Sequence, residues 1–205
     1  MTDTRQTPQA MPQPSTESVD TLVIGAGQAG LATSFWLSKA GIDHLVVEGR
    51  DRLGGSWPDR WDSFCLVAPN FTLQLPGMPY EGPDPDGFMP RDQVAAYVQR
   101  YASTIAAPVR LGTTVQRLVA SGDRLVADTG NGTITAASVV LATGPYQRPS
   151  IPSAGAQLSG HIHQMHSSQY RRPSQLPTGG VLVVGSGQSG TQIAEELHAA
   201  GREVH

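Results

Sequence analysis

Two stretches of the chain carry residues whose types and spacing can do chemistry. In the first, strand-forming residues 21–24 run into Gly25-x-Gly27-x-x-Gly30, and residues 31–40 read as a helix. Each glycine has a separate job in that setting. Gly25 permits the tight turn, Gly27 lets the backbone approach a pyrophosphate, and Gly30 lets helix and strand pack closely. An anion placed there meets a helix N-terminus, whose free N–H groups and dipole favour negative charge. Glu48 ends the next apolar run, about 20 residues on, where a carboxylate can hydrogen-bond a ribose hydroxyl. In the second stretch, the apolar run 181–184 leads into Gly185-x-Gly187-x-x-Gly190 and a helical run to Ala200. Each of these glycines stands 160 positions after its counterpart, and so does Gly201 after Gly41, the αL residue expected to close each helix. Such a repeat implies two dinucleotide sites in one polypeptide.

The elements around these loops can be read from period and punctuation. Leu31, Phe35 and Leu37 supply the packed side of the first helix. Residues 49–90 are irregular and rich in Pro, Gly and aromatics, and loops of such length are often functional. Residues 92–106 carry Val94, Tyr97, Val98, Tyr101 and Ile105 at helical spacing. From Pro108 the pattern changes to β: runs 114–119, 124–127 and 133–141 are separated by Gly/Asn/Asp turns, as in an antiparallel meander. The meander returns to a strand expected to be buried at 139–141, which ends in Ala142-Thr-Gly-Pro145. Four prolines between 149 and 177 mark a linker. The expected division is a disordered tail over 1–18, a nucleotide domain over 19–150, a linker over 151–178 and the start of a second nucleotide domain over 179–205. The fold class is α/β: a Rossmann-like domain with an antiparallel β-meander, followed by the start of a second Rossmann-like domain. A counterpart of Glu48 would stand at position 208, past His205, so the second domain is expected to be truncated and the chain to be the N-terminal part of a longer protein, inactive alone.

Composition narrows the classes further. A net charge of −3 gives no basic surface for nucleic acid. No apolar run approaches the roughly 18 residues of a membrane span, so no membrane partner is expected. The single cysteine excludes an internal disulfide and a redox dithiol within the chain, and with no targeting segment it fits a cytoplasmic setting. His161, His163 and His166 invite a metal reading, but no cysteine or carboxylate lies close by to complete a tetrahedral set, and a linker role is expected. Cys65 reads as a packed thiol and Trp61 as core. Trp57, directly after the Gly54-Gly55-Ser56 run, reads as a site residue. Arg50, Arg52 and Arg60 are either solvated or paired with Asp51 and Asp59.

The two glycine fingerprints, Gly54-Gly-Ser-Trp57 and the Ala142-Thr-Gly-Pro145 turn together resemble the flavin-containing monooxygenase group of two-dinucleotide-binding-domain flavoproteins, and within it a bacterial branch of flavin oxidoreductases. Gly160, His166 and Tyr170 are similar to that group's inter-domain linker signature. Leu158 replaces its leading aromatic, and five residues rather than three separate Gly160 from His166. The resemblance covers residues 19–205. It implies that Gly25, Gly27, Gln28, Ala29, Gly30 and Glu48 hold the ADP part of FAD, with Gly54, Gly55 and Trp57 near the flavin. Val115 would touch adenine, and Thr143 and Gly144 would close over the flavin. Gly185, Gly187, Gln188, Ser189 and Gly190 would hold NADPH or NADH. Asn70 would match the family asparagine beside the reactive flavin carbon, one residue out of register. The implied activity is NAD(P)H-dependent oxygenation of a nitrogen or sulfur nucleophile on a small molecule by molecular oxygen, through a flavin hydroperoxide, in a possible homo-oligomer. The alternatives are a flavin reductase or dehydrogenase, or a non-catalytic FAD-binding fragment. The related disulfide reductases are disfavoured, because Cys65 has no cysteine partner.

Overall fold

The structure, a computed structural model, describes residues 15–205. Six strands form one sheet in the order β3-β2-β1-β6-β5-β4. They are β1 (Ser15–Ile24), β2 (His44–Val47), β3 (Val109–Arg110), β4 (Arg117–Ser121), β5 (Arg124–Asp128) and β6 (Gly132–Leu141). The helices are α1 (Gln28–Lys39), α2 (Arg91–Thr104) and α3 (Gln188–Ala199). β1 runs parallel to both β2 and β6, with Ile24 opposite Val47 on one side and Leu141 on the other. β4, β5 and β6 are the expected antiparallel meander. β3 pairs only through Val46–Val109 and Val47–Arg110, too short a run to show a period in sequence.

The period of two along the parallel strands divides the core between the sheet's faces. Val23 and Val46 meet Leu31 of α1 and Val94, Tyr97, Val98 and Tyr101 of α2. Leu22, Leu45 and Val47 meet Ala127, Ile134 and Ala136 on the other side. α2 also explains how the irregular stretch before it is held. The Tyr97 hydroxyl donates to the carbonyls of Leu73 (3.3 Å) and Met78, and that of Tyr101 to Pro76 (2.9 Å). Burial pushes the Tyr101 phenol up to about 12, which keeps it a donor.

Three expectations need correction. Residues 1–14 of the expected tail lie outside the described residues, but 15–18 open β1. There they pair with Gly132–Thr135, and Glu17 receives Arg110 Nη1 at 2.6 Å. A pairing partner outweighs their low apolar content. The end of β6 is not buried, since Leu141 is 68% exposed while its pairing partner Ile24 is partly covered. Residues 181–184 make no full strand either: Val181 bridges Val204 in parallel, and Leu182 and Val184 stay 68% and 77% exposed. One short neighbour leaves those apolar faces without the layer that buries Leu22 and Val23.

The junction of β1 and α1 carries a stability prediction. A Cβ on Gly30 would lie 1.8 Å from the Gly25 carbonyl oxygen, so helix and turn must separate to admit it. Gly30→Ala should cost about 2 kcal/mol by chemical denaturation, in the range of core overpacking. An unchanged midpoint and slope would contradict that contact.

Candidate functional site

The C-terminal ends of β1, β2 and β6 border a cleft of about 870 Å³. The sheet grows from β1 through β2 and β3 in one direction and through β6 in the other. Open α/β sheets bind ligands at this point, where loops leaving adjacent strands diverge.

The floor of the cleft is built from the first fingerprint. Gly25 N–H donates to Val47 O at 2.7 Å, and Ala142 N–H to Ile24 O at 2.8 Å. Gly25 has φ +109°, and a Cβ there would meet Ala142 O at 2.4 Å, so both conformation and space require glycine. Gly27 caps α1 with no side-chain hydrogen bond, and the first turn carries no acid. The amides beginning at Gln28 and Ala29 therefore open onto the cleft unneutralised, as an anion seat requires. Gly27 is different from Gly25: its backbone is ordinary extended, and an added Cβ meets only Gly55 Cα, at 3.7 Å. No protein atom explains this glycine; an object in the cleft would.

Glu48 closes one end. It is buried, yet it lines the cleft, accepting Ala26 N–H on Oε2 at 2.9 Å and Arg50 N–H on Oε1 at 3.0 Å. A carboxylate offers about four lone-pair sites, so two backbone bonds leave capacity for ligand hydroxyls. Val115 lines the same end, its loop tied down by Thr113 N–H to Glu48 O at 2.8 Å. Gly55 lies over Gly27 in the middle, with φ +57°. Gly54 lines the cleft beside it, and Trp57 follows on a short 3-10 turn, Trp57–Asp59. Thr143 and Gly144 form the far end, together with Tyr146 and Gln147, and Gln188 reaches it from the first residue of α3. Gly30 stands behind the floor and packs the helix against the turn.

The second fingerprint repeats the first in detail. Gly185 has φ +116°, and a Cβ on Gly190 would lie 1.9 Å from Gly185 O. Both helices end alike: Ile42 N–H bonds Leu37 O and Arg202 N–H bonds Leu197 O, each 3.0 Å, around Gly41 and Gly201 with positive φ. Gly185, Gly187, Ser189 and Gly190 do not line the first cleft; of this fingerprint only Gln188 does. α3 is held to the first unit by a layer of Trp61, Phe64, Tyr170, Ile193 and Leu197. Gln192 Nε2 donates to Cys65 O at 3.0 Å, and the buried Tyr170 hydroxyl donates to Glu196 Oε2 at 2.6 Å. Burial, and then that carboxylate, hold the Tyr170 phenol well above its ordinary range, so the donor persists.

Asn70 is placed elsewhere. Its Nδ2 donates to Asp84 O at 2.8 Å and its Oδ1 accepts Met89 N–H at 2.7 Å. Both ends of the carboxamide hold the loop together, and the residue does not line the cleft. Trp61 is core, and Cys65 is half-buried. Among the described residues no three His, Cys, Asp or Glu side chains converge on a metal-sized site. Arg50 and Arg60 both line the cleft; Arg50 and Arg52 pair with Asp59, whereas Arg60 has no carboxylate partner among the described residues. Residue type and spacing alone do not separate Arg60 from the other two. Among the described residues no helix is long and apolar enough to cross a membrane.

The chain is similar to known proteins along most of its length. The model of the pyridine nucleotide-disulphide oxidoreductase family matches residues 22–205. The uncharacterized oxidoreductase CzcO-like of Geobacillus kaustophilus is 44% identical over 187 residues, 91% of this chain and 53% of that protein. Indole-3-pyruvate monooxygenase YUCCA1 of Oryza sativa subsp. japonica is 31% identical over 180 residues, 86% of this chain and 44% of that one. The flavin-containing monooxygenase from Stenotrophomonas maltophilia superposes with a TM-score of 0.84 at 31% identity, over 92% of this chain and 57% of its own. The chain thus spans about half the length of the curated relatives it matches.

Proposed function

The chain belongs to the pyridine nucleotide-disulphide oxidoreductase family, and from that premise we propose that its cleft holds FAD within an NAD(P)H-dependent flavin monooxygenase acting on a soft nitrogen or sulfur nucleophile. The carrying observation is the pairing of an uncapped, acid-free α1 N-terminus with Glu48 across one continuous cleft. An adenosine on Glu48 and a pyrophosphate over Gly27 direct the rest of a dinucleotide towards Trp57 and Thr143. When bound, FAD supplies the redox and oxygen chemistry. The chain's own residues bind and orient: Glu48 takes the ribose hydroxyls, the amides of α1 take the phosphates, and Trp57 walls the far half. Gln188 brings the second fingerprint to the same cleft, and that fingerprint would hold the NADPH or NADH that supplies the electrons. After the first fingerprint this chain carries Cys65 as its single cysteine, so no cysteine pair stands on that stretch.

Titration of the protein with FAD tests the assignment. The wild type should take up one FAD, and Glu48→Ala should weaken it about tenfold or more, as for hydrogen bonds to a charged group. Equal affinity in both would overturn the placement of the ribose. Turnover of the loaded protein with a tertiary amine or thioether separates the readings further: oxygenated product supports the monooxygenase, and stoichiometric hydrogen peroxide without product supports a reductase.

A further inference from the structure

Among the described residues, Arg60 is the cleft-lining cation that has no ion-pair partner. Of the three charged groups on the cleft wall, Glu48 is bonded to two backbone amides, and Arg50 is paired with Glu48 (3.4 Å) and Asp59 (3.3 Å). Among the described residues no carboxylate lies within ion-pair distance of Arg60, and its Nε is buried with no hydrogen-bond partner. Its backbone is fixed independently: its N–H bonds Trp57 O at 3.2 Å, and its carbonyl accepts Arg91 Nη1 at 3.1 Å. The guanidinium lies 3.9 Å from the Tyr146 ring centroid, with Trp57 and Phe64 at 5.8 and 5.6 Å. Such stacking is favourable, but it uses the face of the cation and leaves the in-plane Nε–H unmatched. A half-buried cation among aromatic rings, with its Nε buried and unpartnered, is placed to meet a negative group that arrives with a ligand.

Position identifies that group. Glu48 and Val115 mark one end of the cleft, and Gly27 and Gly55 its middle. Arg60 stands with Trp57 and with Tyr146, which follows the Thr143-Gly144 turn leaving β6. We propose that Arg60 receives the negative charge that the flavin ring of FAD carries after reduction, and so raises the reduction potential of the bound cofactor. The inference rests on FAD occupying the cleft as above. Two electrons and one proton added to the neutral oxidised ring leave one net negative charge, and a positive neighbour favours that state over the neutral one. By linkage, binding the reduced form more tightly than the oxidised form makes reduction easier.

The test uses the FAD-loaded protein and two variants, Arg60→Met, which keeps the apolar stem, and Arg60→Lys, which keeps the charge. In Arg60→Met the Kd for oxidised FAD should stay within about twofold of wild type, while the reduced form weakens about tenfold, lowering the midpoint potential by about 30 mV for a two-electron couple. Arg60→Lys should retain more than half of the wild-type offset. An unchanged potential in Arg60→Met overturns the proposal. Equal loss of oxidised FAD by both variants, with no change in potential, also overturns it and assigns Arg60 to wall packing or to the pyrophosphate. If the wild type takes up no FAD, the reading of the cleft itself fails, an outcome visible before either variant is measured.

Discussion

Gly27→Val should leave the protein folded and remove its capacity to hold FAD. The expected loss of affinity is at least about a hundredfold, or ~2.7 kcal/mol. Neighbouring glycines differ in what a side chain would meet. Gly25 sits at φ +109° and would press a side chain onto Ala142, and Gly30 would press one onto Gly25, so substitution at either damages the fold itself. Gly27 adopts φ −81° and ψ −171°, open to any residue, and an added Cβ meets only Gly55 Cα at ordinary contact distance. The valine methyls instead occupy the space above the α1 amides, where the pyrophosphate must approach. Thermal unfolding of the apoprotein should therefore match wild type within experimental scatter, while FAD titration shows no saturable binding. Stoichiometric yellow protein from Gly27→Val would remove the first fingerprint from the FAD site.

Gly187→Val should do the converse. Gly187 has φ −76°, no atom within 4 Å of an added Cβ, and the same uncapped, acid-free helix start behind it. A side chain there blocks only what docks on α3. Bound FAD should be retained with an unaltered Kd, while the rate of flavin bleaching by NADPH or NADH falls at least about a hundredfold, the loss of ~2.7 kcal/mol of phosphate contacts. Dithionite, which needs no binding site, should still bleach the flavin at the wild-type rate. Loss of FAD from Gly187→Val would mean that the two fingerprints have exchanged roles. Normal bleaching by both nucleotides would mean that the second fingerprint does not bind the reductant.

Several features were legible because their causes are local. The glycine spacings, the acid at the end of the second strand, the meander turns and the αL closures at Gly41 and Gly201 all follow from backbone sterics or short-range hydrogen bonding. The structure reproduces each of them, down to matching helix ends 160 residues apart. Burial was less legible. Residues 139–141 and 181–184 have the composition of buried strands, yet Leu141, Leu182 and Val184 are exposed, because burial needs a second layer that no local pattern supplies. The start of β1 erred in the opposite direction: Ser15 to Ser18 look polar and unstructured, and a distant partner, Gly132–Thr135, recruits them.

The site divides in the same way. By itself the sequence placed the fingerprint glycines at strand-to-helix turns and Glu48 at the end of the second strand, because those positions depend on conformations set within a few residues. The tertiary structure alone decided what depends on meetings across the chain. It used both ends of the Asn70 carboxamide on Asp84 and Met89, and so withdrew that residue from the cleft. It gave Asp59 to Arg50 and Arg52, leaving Arg60 with aromatic rings and, among the described residues, no counter-ion. It seated α3 on Trp61 and Phe64 through Tyr170, which brings Gln188 to the first cleft. The physical reason is range: a φ angle or a helix cap is settled among near neighbours, whereas the pairing of one charge among three arginines is settled only when distant segments pack.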